Sequence, residues 1–194
     1  MKTGRFTLRS LQAGLLALSI NLIAVASANA NSPTAFPNIR VKNFGQMDDR
    51  FFRGAQPEER DYKDLAALGV KTIIDLRDDP TSYEKRDAES AGMRYVNIPM
   101  SDSGRPRDEQ IEQFLKLTND PATGRFFVHC AGGRHRTGVM GAVYRMSHDG
   151  WDFDRAYKEM KDYDFYTRFG HGSLKDYVQD YYGHQRSIVV STSH

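Results

Sequence analysis

Only one cysteine, Cys130, occurs in the 194-residue chain, so an internal disulfide is excluded. Small exported domains often rely on such staples; this one must hold itself together by packing alone. Charge of one sign is not in excess either, with 27 Lys and Arg against 25 Asp and Glu. No basic stripe runs along any expected helix, so nothing in the charge pattern points to nucleic acid. Beyond the first thirty residues no apolar run is long enough to cross a bilayer. Internal repeats and low-complexity segments are also absent.

What is present begins with an address. MKTGRFTLRS carries Lys2, Arg5 and Arg9 and no acid, a short apolar run follows from Leu11 to Ala26, and ASANA places small residues at Ala28 and Ala30. These are the three parts of a secretory signal peptide. The expectation is a signal peptide over residues 1–30, cleaved after Ala30 or Ala28, and an exported protein, periplasmic or secreted. An uncleaved membrane anchor is the alternative. Loss of three basic residues leaves 24 against 25 acidic ones, so the basic balance of the whole chain comes partly from its leader. No stable membrane insertion is expected after cleavage.

Residues 31–186 read as one α/β domain with a central, largely parallel sheet flanked by helices. Strands are expected at Ile39–Phe44, around Phe51–Phe52, and at Val70–Leu76, Arg94–Ile98 and Arg125–His129. Helices are expected from Pro57 to Gly69, from Ser82 as cap to Gly92, and over Asp108–Leu117, Thr137–His148, Phe153–Tyr163 and Ser173–Tyr182. Strands alternating with helices of this length argue for a parallel sheet. Residues 187–194 read as a tail.

The cysteine lies in HCAGGRHRTG, His129 to Gly138, between an apolar strand and a helix. A glycine-rich turn there aims successive backbone N–H groups into one concavity, and the helix N-terminus adds partial positive charge. Such a loop binds an anion, phosphate above all. It is not the nucleotide-binding P-loop, because the G-K-[ST] ending is missing. Cations and a helix N-terminus lower a thiol pKa from about 8.5 to roughly 3.5–7.5. Cys130 is therefore expected as a thiolate facing a bound phosphoryl group, and a thiolate in that place is a nucleophile. The planar fork of Arg136 suits two phosphoryl oxygens.

C-A-G-G-R-H-R-T-G resembles the C-x5-R-[ST] loop of the cysteine-dependent protein tyrosine phosphatase superfamily, with His129, Gly133 and Thr137 in register. FFRGAQP at Phe51–Pro57, GVKTIIDLR and YVNIPMSD resemble strands of bacterial and fungal atypical dual-specificity phosphatases. The RHRTG ending resembles plant and fungal members, some of which act on inositol pyrophosphates. The resemblance implies a phosphatase that works through a phosphocysteine, without cofactor or metal. It also implies an upstream aspartate as general acid.

Asp102, in PMSDSGRP, is the candidate acid; a turn aspartate capping Gly104 is the alternative. Asp108 is second, at an expected helix N-cap, and Asp78 and Asp79 are weaker. The expected catalytic set is Cys130, Arg136, Asp102 and Thr137, the last supporting the departing thiolate or capping the helix. Phosphate would be held by Ala131, Gly132, Gly133, Arg134, His135 and Arg136. His129 is expected to bond loop backbone, and Arg53 to be a buried ion-pair partner outside the site. His129, Cys130 and His135 match no zinc spacing. Positive charge from Arg134 and His135, with Arg105 and Arg107 near the acid, would suit a highly phosphorylated substrate. The expected partner is thus a phosphoprotein or an inositol phosphate. Two other classes share parts of this pattern: a rhodanese-like sulfurtransferase and a silent phospho-ligand binding module.

Overall fold

A computed structural model describes residues 36–191. The expected signal peptide lies outside them. Among the described residues no helix is long and apolar enough to cross a membrane.

Five strands form one sheet in the order β1-β2-β5-β3-β4, with β1 (Gly45–Gln46), β2 (Phe51–Ala55), β3 (Val70–Arg77), β4 (Arg94–Met100) and β5 (Arg125–Cys130). Only β1 is antiparallel; every other pair is parallel. Parallel strands are buried on both faces and read as continuous apolar runs, which is why VKTIIDL and RFFV stand out. Alternation along β5 splits its side chains. Phe126, Val128 and Cys130 join a core with α3 (Asp108–Asn119) and α4 (Arg136–His148). Phe127 points the other way, into a core with α1 (Asp61–Ala67) and α2 (Glu84–Ser90). A third cluster packs α4 against α5 (Phe153–Asp162) and α6 (Gly172–Ser191). Residues 136–146 of α4 are all buried, so this helix is enclosed by the sheet on one side and its successors on the other.

The boundaries differ from expectation where side chains bend the chain locally. Ile39–Phe44 is not a strand: it turns, and Asn43 takes φ 53°, a conformation asparagine tolerates better than most residues. The pairing strand is the short β1 just after it. The first helix starts at Asp61 rather than Pro57, because the Asp61 carboxylate accepts from the Glu58 N–H at 2.8 Å and folds the preceding turn back. Tyr83, not Ser82, precedes α2, with its hydroxyl donating to the Pro57 carbonyl. Asp108 is the first residue of α3, not its cap; the Arg107 N–H donates to Gln110 Oε1 at 2.7 Å there. The last helix runs on through Ser191, into the span read as a tail.

Candidate active site

The sheet brings three chain turns together at the carboxyl ends of adjacent strands, the usual place for a site in such sheets. Asp78 follows β3, Asp102 follows β4, and the cysteine loop follows β5. A cavity of about 240 Å³ opens at the last two of these turns, lined by Asp102, Cys130, Arg134 and Arg136 together with Tyr166 and His171.

The loop is shaped from outside. Gln56 N–H donates to the Ala131 carbonyl at 3.3 Å. Asn43 Nδ2 donates to the carbonyls of Gly132 and Gly133 at 3.4 and 3.0 Å. Arg53 Nη2 donates to Gly133 as well, at 2.8 Å, and the first turn of α4 takes the carbonyls of Arg134 and His135. Five consecutive carbonyls are thus drawn away from the cavity. In a trans peptide the N–H points opposite to the C=O, so the N–H groups of Gly132 through Arg136 turn inward. That is the anion nest expected from the spelling of the loop, built by residues the spelling does not name. Arg53 is fully buried, as expected, but it has no carboxylate partner at hydrogen-bond distance among the described residues. It bonds the Gly133 carbonyl and stacks 3.9 Å above the Tyr163 ring, and burial pushes its pKa down.

Gly133 sits at φ 66°, where an added Cβ would collide with the Gly54 carbonyl of β2. Positive φ alone costs a side chain about 1–3 kcal/mol. Gly133→Ala should therefore destabilise the chain by at least that much in urea melts and disorder the nest. A variant with wild-type stability would show that the loop is not pressed against β2.

Cys130 is 3 % exposed. Burial pushes its pKa up, but the hydroxyl and N–H of Thr137, the Arg136 guanidinium and His129 together outweigh burial and bring it below the usual thiol value. The Thr137 hydroxyl is buried with no other partner among the described residues, so it is reserved for the sulfur. Arg136 is anchored through one nitrogen: Nη1 donates to Asp78 Oδ1 at 2.8 Å and to the Met100 carbonyl at 3.0 Å. Its Nε–Nη2 edge has no protein acceptor among the described residues and is left for a ligand. Asp78, ranked among the weak acid candidates, is thus the clamp of this arginine.

Asp102 is exposed and lines the cavity beside Cys130. The Gly104 N–H is capped by Ser101 Oγ at 3.1 Å, so Asp102 is not needed for the turn. Asp108 lies elsewhere, in a groove between α3 and α6 with Tyr177 and Asp180.

Two expectations about charge fail. Arg105 pairs with Asp180 at 2.8 Å and Arg107 lies 3.8 Å from Glu109, and neither lines the cavity. His135 adds no charge at neutral pH. Burial first, then His171, whose ring stacks on it with centroids 3.5 Å apart, lowers its pKa to about 4. The folded state therefore binds fewer protons than the unfolded chain between about 4 and the ordinary histidine value of 6.5. Its contribution to stability is present above that window and is lost as pH falls through it. The Tm difference between wild type and His135→Asn should shift in favour of the variant from pH 7 to pH 4. A gap that is constant with pH would place the His135 titration in its ordinary range.

His129 also departs from expectation. Its ring does not bond loop backbone; it faces Glu84 Oε1 at 2.6 Å and Asp75 Oδ1 at 3.8 Å, all three fully buried. These are residue types that ligate metals, but at 2.6 Å the His129 and Glu84 atoms touch directly, which leaves no room for an ion between the two. Sequence reasoning missed Glu84, Asn43, Tyr166 and His171. None belongs to the loop's own spelling, and only their place in the folded chain gives them a role.

A family model described as "DSP-PTPase phosphatase fused to NAD+ Kinase" matches residues 28–173. The chain belongs to this phosphatase family. Among its relatives, the dual specificity protein phosphatase TpbA of Pseudomonas aeruginosa is 30% identical over 121 residues, covering 61% of this chain and 53% of that one. An inositol diphosphatase of Arabidopsis thaliana is 30% identical over 111 residues, covering 50% of this chain and 52% of that one. The chain thus spans about half the length of these two curated relatives. The crystal structure of P. aeruginosa TpbA in complex with phosphotyrosine superposes with a TM-score of 0.61 at 25% identity, covering 71% of this chain and 83% of that one.

Proposed function

We propose that the phosphatase hydrolyses phosphate monoesters through a phosphocysteine, with phosphotyrosine in proteins as its substrate class. The observation that carries this is the inward-facing nest of N–H groups around a buried cysteine whose ionisation is favoured. Cys130 Sγ attacks phosphorus as the bond to the leaving oxygen breaks, and Asp102 gives that oxygen its proton. Water then attacks the phosphocysteine, Asp102 takes the proton back, and the sulfur leaves as thiolate beside the Thr137 hydroxyl. The N–H nest and the free edge of Arg136 hold the equatorial oxygens as charge spreads over them. Gly132, Gly133, Arg134, His135 and Arg136 serve the phosphoryl group through their N–H groups, Ala131 lines the cavity beside them, and Arg134 adds a side-chain charge at the rim.

Substrate class follows from what lines the cavity. Arg134 and Arg136 are its only Lys or Arg residues among the described residues, Asp102 is negative, and Asp78 lies against Arg136. One phosphoryl group is well matched; a ring carrying many is not. The Tyr166 ring offers a wall for a phenol. The inositol diphosphatase relative favours the second reading, an inositol phosphate or diphosphate. Release of phosphate by the full chain from phosphotyrosyl peptide, phosphoseryl peptide and inositol phosphates separates them. The phosphotyrosyl peptide should give the highest kcat/KM, and a higher value for any inositol phosphate would overturn the assignment. The leader supports export, so the working compartment we propose is the periplasm or the medium.

A further inference from the structure

Three ionisable side chains lie fully buried just behind the nucleophile: Asp75 on β3, Glu84 on α2 and His129 on β5. Strand alternation explains the arrangement. Cys130 points to the α4 face, so His129 must point to the α2 face, where Glu84 meets it at 2.6 Å. Asp75 is the register partner of His129 across the β3–β5 pair. Stability alone is a poor reason for such a cluster, since a buried ion pair usually gains nothing over well-packed apolar side chains.

We propose that Glu84 is a positioning residue for the nucleophile, holding the His129 ring charged behind Cys130 so that the thiol ionises at neutral pH. The proposal rests on Cys130 acting as the phosphatase nucleophile.

The groups around Glu84 fit a negative charge. Gln56 Nε2 donates to Glu84 Oε2 at 2.9 Å, which stabilises the carboxylate without competing for His129. Burial pushes the Glu84 pKa up, but the His129 contact and Gln56 bring it below the usual range. For His129, burial pushes the pKa down, and Glu84 and then Asp75 more than reverse this. Asp75 goes the other way, raised by burial, with Tyr95 donating to its Oδ2 at 2.8 Å and Arg77 N–H to its Oδ1 at 2.8 Å. Tyr62 of α1, beside Glu84, is held neutral by burial and by that carboxylate. The groups facing His129 are thus Glu84, Asp75 and Cys130, and Glu84 is the one whose charge it balances. Gln56 links the cluster to the loop itself, because its N–H donates to the Ala131 carbonyl.

The test reads the thiolate without substrate. Iodoacetamide alkylation of Cys130 in the full chain is followed against pH in wild type, Glu84→Gln, His129→Gln and the double variant. Glu84→Gln should slow alkylation about tenfold at pH 6, the loss expected for a one-unit rise in thiol pKa, with the difference closing at alkaline pH. The double variant should be no slower than His129→Gln alone. An unchanged pH profile in folded Glu84→Gln would overturn the proposal. Should that variant fail to fold, nitrogen-resolved NMR of the unmutated chain decides: both His129 ring nitrogens protonated at pH 7 support it, and a neutral ring refutes it. A shifted alkylation profile in a chain that releases no phosphate would keep the effect of Glu84 on the Cys130 thiol and overturn the proposed function, and with it the nucleophile's role.

Discussion

Cys130→Ser should abolish turnover, with a loss on the order of 10⁴-fold or more, while phosphate or vanadate still binds. A serine hydroxyl in the same nest lacks the low pKa that makes the thiol a nucleophile at neutral pH. The nest remains, because its peptides are oriented by Gln56, Asn43 and Arg53 rather than by the sulfur. Arg136→Lys should lose about 10²–10³-fold, the usual cost of one transition-state donor. A lysine cannot keep the Asp78 and Met100 contacts and still present two N–H groups to the phosphoryl oxygens. Phosphate release with phosphotyrosyl peptide, together with isothermal titration of vanadate, measures both. Substantial turnover by the serine variant would sink the phosphocysteine mechanism.

Asp102→Asn should lower kcat by about 10²–10⁴-fold with esters whose leaving oxygen needs a proton, the range of general acid catalysis. With an activated phenol that departs as its anion, the loss should shrink toward tenfold or less. Asp108→Asn should leave both nearly unchanged, because Asp108 lies in the α3–α6 groove and not in the catalytic cavity. If Asp108→Asn shows the leaving-group pattern and Asp102→Asn does not, the acid has been misassigned. Only Asp102 combines exposure, freedom from the Gly104 turn and a place on the cavity wall.

The sequence by itself determined where the proposed nucleophile and its ring of donors lie. Cysteine, glycines, arginine and threonine lie within one strand–turn–helix, so their register is covalent and the chain has little choice in how to present them. The parallel sheet was legible for a related reason: strands buried on both faces must be apolar without interruption, as Val70–Leu76 and Arg125–Val128 are. Short elements were less legible. A two-residue strand such as β1 has no period to read, and asparagine at positive φ in Asn43 ended a run that looked like a strand.

The tertiary structure alone decided charge. His135 and His129 are neighbours of the same loop and look alike as letters. One is stacked on His171 and held neutral; the other faces Glu84, which pulls its pKa up against burial. Arg105 and Asp78 exchanged the importance their spacing suggested, because Arg105 found Asp180 on α6 while Asp78 found Arg136 across the sheet edge. These partners lie between 36 and 75 residues apart in the chain. Protonation depends on burial and on which opposite charge arrives within a few ångströms, and only the closed fold brings those groups together.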